Sequence, residues 1–188
     1  MTPRRPIQRE MKFMTANVFV DTNVLVYARD SAEPAKQSIA SSLMARLWHD
    51  QSGRISMQVL SEYYVTVTRK FKPGLPRDEA WEDVQGFFPW QPQVMDADVL
   101  RLAREIEKRH RVSWWDSLII AAAQKQHCTV LLTEDMQDGM RFGTVKVQNP
   151  FRLGVSDPIP EYDVVAKTAA SRHPRRGRPP RTSRTVRA

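Results

Sequence analysis

Short apolar segments that suit β-strands alternate along this chain with longer segments of helical periodicity. The strand-like segments lie at 17–20, 54–57, 93–95, 129–132 and 144–148. The helical segments begin near Val24 and then span about 33–50, 59–71, 77–87, 98–109 and 114–126. Because strands that alternate with helices form parallel sheets covered on both faces, the sequence predicts an α/β fold. The expected architecture is a three-layer α/β/α sandwich with a short central parallel sheet.

The positive charge of the chain is concentrated at its two ends. Residues 1–14 carry a net charge of +3, residues 15–166 carry −3, and residues 167–188 carry +8. A Pro/Arg-rich segment with few large apolar residues cannot bury enough surface to offset the entropy cost of ordering. We therefore predict an ordered domain at 15–153, a flexible basic leader at 1–14 and a disordered basic tail at 154–188.

The apolar residues and the single cysteine restrict the compartment. Cys128 has no partner for an internal disulfide, which is typical of a reducing compartment. The apolar run around LIIAAA is far too short to cross a bilayer, and no apolar segment follows the basic N-terminus as a secretory signal requires. These features predict a cytoplasmic protein without a membrane interaction.

Four acidic residues stand where a parallel sheet of this kind binds ligands. Asp21 directly follows the first strand, and Asp135 lies three residues after Leu132. Glu62 and Asp116 lie on helices with apolar neighbours, where an ionised carboxylate is costly unless a cation or several donors satisfy it. Because ligands bind outside the carboxyl ends of such strands, the four acids are expected to converge on a hard cation, Mg²⁺ or Mn²⁺. Zinc is a poor candidate, since the sequence has no clustered cysteines and no histidine pair at zinc spacing.

Each acid taken alone also has a purely structural explanation. Asp21 or Asn23 would serve as the N-cap of the helix that follows the first strand. Glu62 would fit the solvent face of an amphipathic helix. Residues 113–116 have the pattern of a capping box, and residues 133–135 resemble the acidic first turn of a helix.

Four ordered segments of the sequence together resemble a known family. They read VFVDTNVLVY, QVLSEYY, WWDSLIIAAA and LLTEDMQDG, and they extend over roughly residues 17–151. In this order they resemble the PIN domain, and most closely the VapC-type toxins of type II toxin–antitoxin pairs. The resemblance implies a PIN-like, Rossmann-like sandwich, dependence on Mg²⁺ or Mn²⁺ and endoribonuclease activity. It also implies a small antitoxin protein that silences the toxin, and commonly a homodimer.

The resemblance also assigns roles to individual positions. The first to fourth acids of the family, which are the expected catalytic and metal-binding groups, correspond to Asp21, Glu62, Asp116 and Asp135. Two polar residues that commonly accompany these acids correspond to Asn23 and Thr133. Asp138 lies in the last segment as well, either supporting the metal ligands from behind or replacing Asp135.

The predicted function is therefore a metal-dependent endoribonuclease that hydrolyses RNA phosphodiester bonds, held in check by an antitoxin. One alternative is a PIN-type nuclease that acts in RNA processing or on DNA. Another is a non-enzymatic protein that binds nucleic acid through its tail, at residues 172–187. The RGRP sequence in this tail resembles the core of an AT-hook, but nonspecific binding by a polycation, or no role at all, explains it better.

Several side chains outside the acidic set are candidate RNA contacts. Four basic residues would line the groove beside the acids, although solvated surface charge explains each of them equally well: Arg29, Arg69, Lys70 and Lys72. Trp114 and Trp115 have rings that stack well on bases. Since they occupy the first turn of an apolar helix, a place in the core is the better prediction for one or both.

Overall fold

A computed structural model describes residues 16–152, so the predictions for the leader and the tail lie outside the described residues. The strands are Val18–Val20 (β1), Gly53–Arg54 (β2), Val130–Leu132 (β3), Arg141–Phe142 (β4) and Val145–Gln148 (β5). The helices are Thr22–Arg29 (α1), Pro34–His49 (α2), Met57–Arg69 (α3), Arg77–Gly86 (α4), Ala97–His110 (α5) and Trp114–Lys125 (α6). A short 3-10 turn at Phe88–Trp90 precedes α5.

The five strands form one mostly parallel sheet in the order β2-β1-β3-β5-β4. β1 pairs in parallel with both β2 and β3, and β3 pairs in parallel with β5. Only the β4–β5 pair is antiparallel. The three-layer α/β/α prediction is confirmed. The chain moves from β1 to β2 on one side and to β3 on the other, so β1 and β3 flank the switch point of the sheet.

Two of the five predicted strands differ from those in the structure. The segment predicted at 54–57 contributes only Gly53–Arg54, because Ser56 caps α3 by accepting a hydrogen bond from the Val59 N–H at 3.3 Å. The segment at 93–95 is not a strand. It makes a single bridge from Gln93 to Ser56, and the side chains beyond it, such as Val94, are exposed.

No local pattern in the sequence indicates β4, and α1 starts slightly earlier than its periodicity predicts. Strand β4 has only two residues, one exposed and one buried, which is too short to display a period of two. The hairpin that joins it to β5 turns at Gly143, where φ is +61° and glycine is favoured. α1 begins at Thr22 rather than near Val24, because Asp21 supplies its N-cap.

The central position predicted for α6 is confirmed. Every residue from Ser117 to Ala123 is buried, so neighbouring elements surround the helix over its middle turns. Cys128, in the connection to β3, is fully buried as well. Burial raises the pKa of its thiol to about 12, which makes it a small apolar residue of the core rather than a nucleophile.

Within residues 16–152 no helix combines the length and the apolar character that a membrane crossing would require.

We predict that Gly53→Ala destabilises the fold, because a methyl group at this position has no space. A Cβ on Gly53 would lie 2.4 Å from ring carbons of Trp90, which is itself buried between Trp48 and Phe87. Overpacking of this kind costs about 1–3 kcal/mol. Urea unfolding should show a lower midpoint for Gly53→Ala, whereas Gly86→Ala, which meets nothing within 4 Å, serves as the control. Equal midpoints for the two variants would contradict the prediction.

Candidate active site at the carboxyl edge of the sheet

Asp21 and Thr133 lie side by side at the switch point of the sheet. Val20 and Leu132 end β1 and β3 and are paired in register, so the residues that follow them are neighbours. The Asp21 N–H donates to the Leu132 carbonyl at 3.0 Å, which extends the ladder by one step. Sequence positions 112 residues apart are thereby fixed at one point on the carboxyl edge.

The Asp21 carboxylate accepts three hydrogen bonds although it is almost completely buried. The donors are the Thr22 N–H at 2.6 Å, the Thr133 hydroxyl at 2.7 Å and the Asn23 amide at 3.3 Å. Its side chain is therefore the N-cap of α1 as well as part of the polar cluster, so the structural and the functional explanations hold together. Asn23, the other capping candidate, does not serve as the N-cap.

The Thr133 hydroxyl connects the two strand ends to the loop that follows β3. It donates to Asp21 and accepts from the Asn23 amide at 3.0 Å and from the Asp135 N–H at 3.1 Å. A hydroxyl has one donor and two acceptor positions, so all of them are used. No helix begins at Thr133, which excludes the helix-start explanation for residues 133–135.

Glu62 reaches the same cluster from α3. Its carboxylate accepts from the Thr22 hydroxyl at 3.3 Å and from the side-chain amide of Gln58 at 3.1 Å. Thr22 also donates its backbone N–H to Asp21, so one residue touches both acids. Gln58 is buried one turn before Glu62, and nothing in the sequence marked it as part of the site.

The electrostatic state of Asp21 is unusual for an aspartate. Burial raises the pKa of the Asp21 carboxyl from 3.8 to about 7, the bonds from Thr133 and Thr22 oppose this rise, and the negative charges of Asp135 and Glu62 add to it. A group that is half protonated near neutral pH lacks a partner for its charge. A cation bound beside it would supply that partner.

Asp116 lies in the first turn of α6, where its N–H donates to the Ser113 hydroxyl at 3.1 Å. The end of α6 is at the amino edge of the sheet, because Asn17, just before β1, donates to the Gln126 carbonyl at 3.0 Å. Twelve helical residues span about 18 Å, and α6 turns directly into β3. Its first turn therefore lies towards the carboxyl edge, although direct participation of the Asp116 carboxylate stays a prediction.

Asp138 and Asp135 differ in their surroundings. The Asp138 carboxylate accepts from the Asn149 N–H at 2.8 Å and ties the loop to the end of β5. Asp135 is bonded through its backbone to Thr133 and lies close enough to raise the pKa of Asp21. The geometry therefore favours Asp135 as the fourth acid, and its role in binding a metal stays a prediction.

The donor atoms of the cluster fit a hard cation that keeps much of its water. Asp21, Glu62 and Asp135 supply carboxylate oxygens, and the Oδ1 atom of Asn23 is buried without a hydrogen-bond partner among the described residues. In this part of the chain, no three His, Cys, Asp or Glu side chains are arranged to hold a metal ion by themselves. Mg²⁺ commonly binds through one or two carboxylates and several waters, and a coordinated water would offer Asn23 the donor that it lacks.

The family is decided by a match over most of the described residues. The family model described as "PIN domain" matches residues 18–137. This chain belongs to the PIN domain family. The matched region contains Asp21, Glu62, Asp116 and Asp135, whereas Asp138 falls just outside it. No curated protein sequence matches this PIN domain as a relative.

Solved structures share the fold of this PIN domain at low sequence identity. A toxin–antitoxin complex from Klebsiella pneumoniae aligns with a TM-score of 0.54 and 15% identity, covering 71% of this chain and 98% of that one. VapC20 of Mycobacterium tuberculosis, a sarcin-ricin loop cleaving toxin, aligns with a TM-score of 0.47 and 22% identity, covering 61% of this chain and 87% of that one. VapBC2 from Rickettsia felis, bound to a DNA fragment from its promoter, aligns with a TM-score of 0.46 and 17% identity, covering 70% of this chain and 97% of that one. At these identities the first alignment establishes the fold alone.

A second polar cluster, which the sequence did not reveal, holds the loop of this PIN domain that carries Asp135. Both carboxylate oxygens of Glu134 are bonded, one by the Tyr27 hydroxyl and the other by the Lys36 ammonium group at 2.7 Å. Lys36 also donates to the Tyr27 hydroxyl at 2.8 Å and lies 4.1 Å from the centre of its ring. Phe151 packs edge-on against Tyr27. Tyr27 and Glu134 lie in two of the four family-like segments, whereas Lys36 and Phe151 carry no signal of their own.

The basic residues proposed as groove contacts include one with a clear structural role. The Arg29 guanidinium pairs with Asp83 through two nitrogens and lies 3.6 Å from Glu79. The buried Tyr63 donates its hydroxyl to the same Asp83 carboxylate at 2.6 Å. Arg29 therefore joins α1 to α4, and a place for it in a substrate groove is not supported.

Proposed function

We propose that this PIN domain is a metal-dependent endoribonuclease that hydrolyses RNA phosphodiester bonds in the cytoplasm. The observation that supports this most directly is the buried carboxylate of Asp21, which lies at the switch point of the sheet with two further acids beside it. A cation bound beside such a group favours its ionised form at neutral pH. A cation bound among acids is a common device for phosphodiester hydrolysis.

Asp21 and Asp116 are the expected direct ligands of Mg²⁺ or Mn²⁺, with Glu62 and Asp135 orienting water molecules around the ion. When bound, the ion would lower the pKa of a coordinated water and neutralise charge on the phosphate. The protein side chains orient this arrangement. Thr133 holds Asp21 through its hydroxyl, and the Oδ1 atom of Asn23, which has no partner among the described residues, would accept a hydrogen bond from a coordinated water.

The choice of RNA, of a cognate antitoxin and of a homodimer rests on the resemblance of the four ordered segments to VapC-type toxins. A small protein encoded beside this chain that binds it and stops cleavage would support the toxin assignment. Light scattering on the purified chain would test the homodimer. A PIN-type nuclease that acts in RNA processing would cleave RNA without such an inhibitor, and one that acts on DNA would prefer that substrate.

We expect the full-length protein to cleave a mixed RNA pool when Mn²⁺ or Mg²⁺ is present and to stop when EDTA removes the ion. Asp116→Asn should abolish this cleavage, because an amide cannot supply the negative charge of a carboxylate ligand. Gel analysis of labelled RNA measures both effects. Cleavage that persists in EDTA, or an Asp116→Asn variant as fast as the parent, would exclude the proposed site.

The tail provides the test against a purely binding function. A variant without residues 154–188 should keep metal-dependent cleavage if the PIN domain is the enzyme. If residues 172–187 instead carry the whole function, the same variant should lose all nucleic-acid binding while the parent shows no cleavage with either metal.

A further inference from the structure

Two adjacent tryptophans at the start of α6 have different surroundings. Trp114 is half-buried and packs against the core, as predicted for one or both of them. Trp115 is 59% exposed, the highest value among the exposed large apolar side chains of the described residues. The residues of α6 from Ser117 to Ala123 are all buried, so the exposed Trp115 lies in the first turn, ahead of the buried part of the helix.

Trp115 lies at the end of α6 that is towards the carboxyl edge of the sheet, the edge that carries the acidic cluster. The first turn of α6 lies towards the carboxyl edge of the sheet, and Trp115 immediately precedes Asp116. The other exposed tryptophans have aromatic neighbours: Trp81 packs against Phe88, and Trp48 packs against Phe87 and Trp90. Among the described residues, no aromatic ring contact is made by Trp115.

The net charge of the domain indicates why an uncharged aromatic ring would help to bind RNA beside the acidic cluster. Residues 16–152 contain 17 basic and 17 acidic side chains, so this part of the chain has no net positive charge that would attract a polyanion. The acids at the carboxyl edge repel phosphates until a cation is bound. A neutral indole ring avoids this repulsion, and stacking on an aromatic ring contributes binding energy for any base.

We propose that Trp115 is a stacking platform for an unpaired base of the RNA substrate, next to the acidic cluster. This inference rests on the proposed ribonuclease function and assigns to it a side chain that contacts a base of the substrate. Bases inside a duplex already stack on each other and offer no free face, and sequence-tolerant recognition of single-stranded RNA commonly uses aromatic side chains.

The test compares Trp115→Ala and Trp115→Phe with the parent in the full-length chain. Loss of a base stack weakens binding by roughly 5- to 100-fold, so Trp115→Ala should raise KM by this factor for a single-stranded RNA while kcat changes little. Trp115→Phe should recover part of the loss. Trp81→Ala is the matched control, since Trp81 is 49% exposed but lies on α4, away from the acidic cluster. Asp83 of the same helix bonds Arg29, which stands at the end of α1 opposite to Asp21.

Binding is measured separately from cleavage, so that the two proposals fail in different ways. Fluorescence anisotropy with a labelled single-stranded RNA and with an abasic ribose-phosphate oligomer is recorded for each variant in the Asp21→Asn background. Trp115→Ala should weaken binding of the RNA and leave binding of the abasic oligomer unchanged. If the parent cleaves no RNA, the proposed function fails, and this assay still tests the stacking platform.

Three results would overturn the stacking proposal. The first is equal RNA affinity of the parent and Trp115→Ala, and the second is an equal loss for Trp115→Ala and Trp81→Ala. The third is loss of binding to a co-purified protein partner with RNA affinity unchanged, which would make Trp115 part of a protein interface.

Discussion

Asp21→Asn is expected to abolish metal-dependent RNA cleavage and, in the absence of metal, to raise the melting temperature at pH 8. The carboxylate is desolvated and close to two other acids, so its ionised form destabilises the fold at this pH. An amide of the same shape removes that charge. A pKa shift from 3.8 to about 7 corresponds to roughly 4 kcal/mol. We expect only part of this free energy as added stability, because the hydrogen bonds to Thr133 and Asn23 must rearrange around the amide.

Thermal unfolding with EDTA and RNA cleavage with Mn²⁺ measure the two effects in one preparation. Asp138→Asn is the matched control, since Asp138 is exposed and its carboxylate accepts a hydrogen bond from the Asn149 backbone N–H, just after β5. This control should leave both properties close to those of the parent. A variant at Asp21 that cleaves as fast as the parent, or that is less stable than the parent at pH 8, would contradict the assignment.

Mn²⁺ is expected to stabilise the parent protein strongly at pH 8 and weakly at pH 5.5. The folded-state pKa of Asp21 is raised, so the stability due to its protonation is fully present below pH 4 and is lost as the pH rises towards 7. At pH 8 the unpaired charge is available to the ion, whereas at pH 5.5 a proton occupies the carboxyl. A ligand at 1,000 times its Kd contributes about 4 kcal/mol, which corresponds to an increase in Tm on the order of 10 °C.

Differential scanning fluorimetry at both pH values, with EDTA as reference and Asp21→Asn as the control variant, measures this competition. The variant should show little stabilisation by Mn²⁺ at either pH. Equal stabilisation of parent and variant would place the ion elsewhere on the protein, and an effect larger at pH 5.5 than at pH 8 would reverse the expected linkage.

The parts of the fold that could be predicted from the sequence are those with a clear local period. Strands β1 and β3 are apolar and buried throughout, and α6 is buried from Ser117 to Ala123, so composition alone indicates that they are central. Strand β4 and the bridge at Gln93 involve one or two residues each. Their pairing comes from partners distant in sequence, and no local pattern records it.

The candidate site divides in a similar way. Asp21 and Thr133 follow strands directly and Asp135 lies in the loop just after β3, so an α/β alternation is sufficient to place them at one edge. Tyr27 of α1 and Lys36 of α2 also support that edge through Glu134. This support could not be predicted from the sequence, because it depends on how the helices pack on the sheet. The same packing determined that Arg29 pairs with Asp83 rather than lining a groove.

The sequence by itself determined that an aspartate would follow a buried strand in a chain of PIN domain character. Only the tertiary structure decided the state of that aspartate. Pairing of Val20 with Leu132 brings Thr133 to Asp21, and folding removes water from the carboxylate and adds the charges of Glu62 and Asp135. A pKa depends on solvation and on charges within a few ångströms, and those are set by residues up to 114 positions apart in the chain.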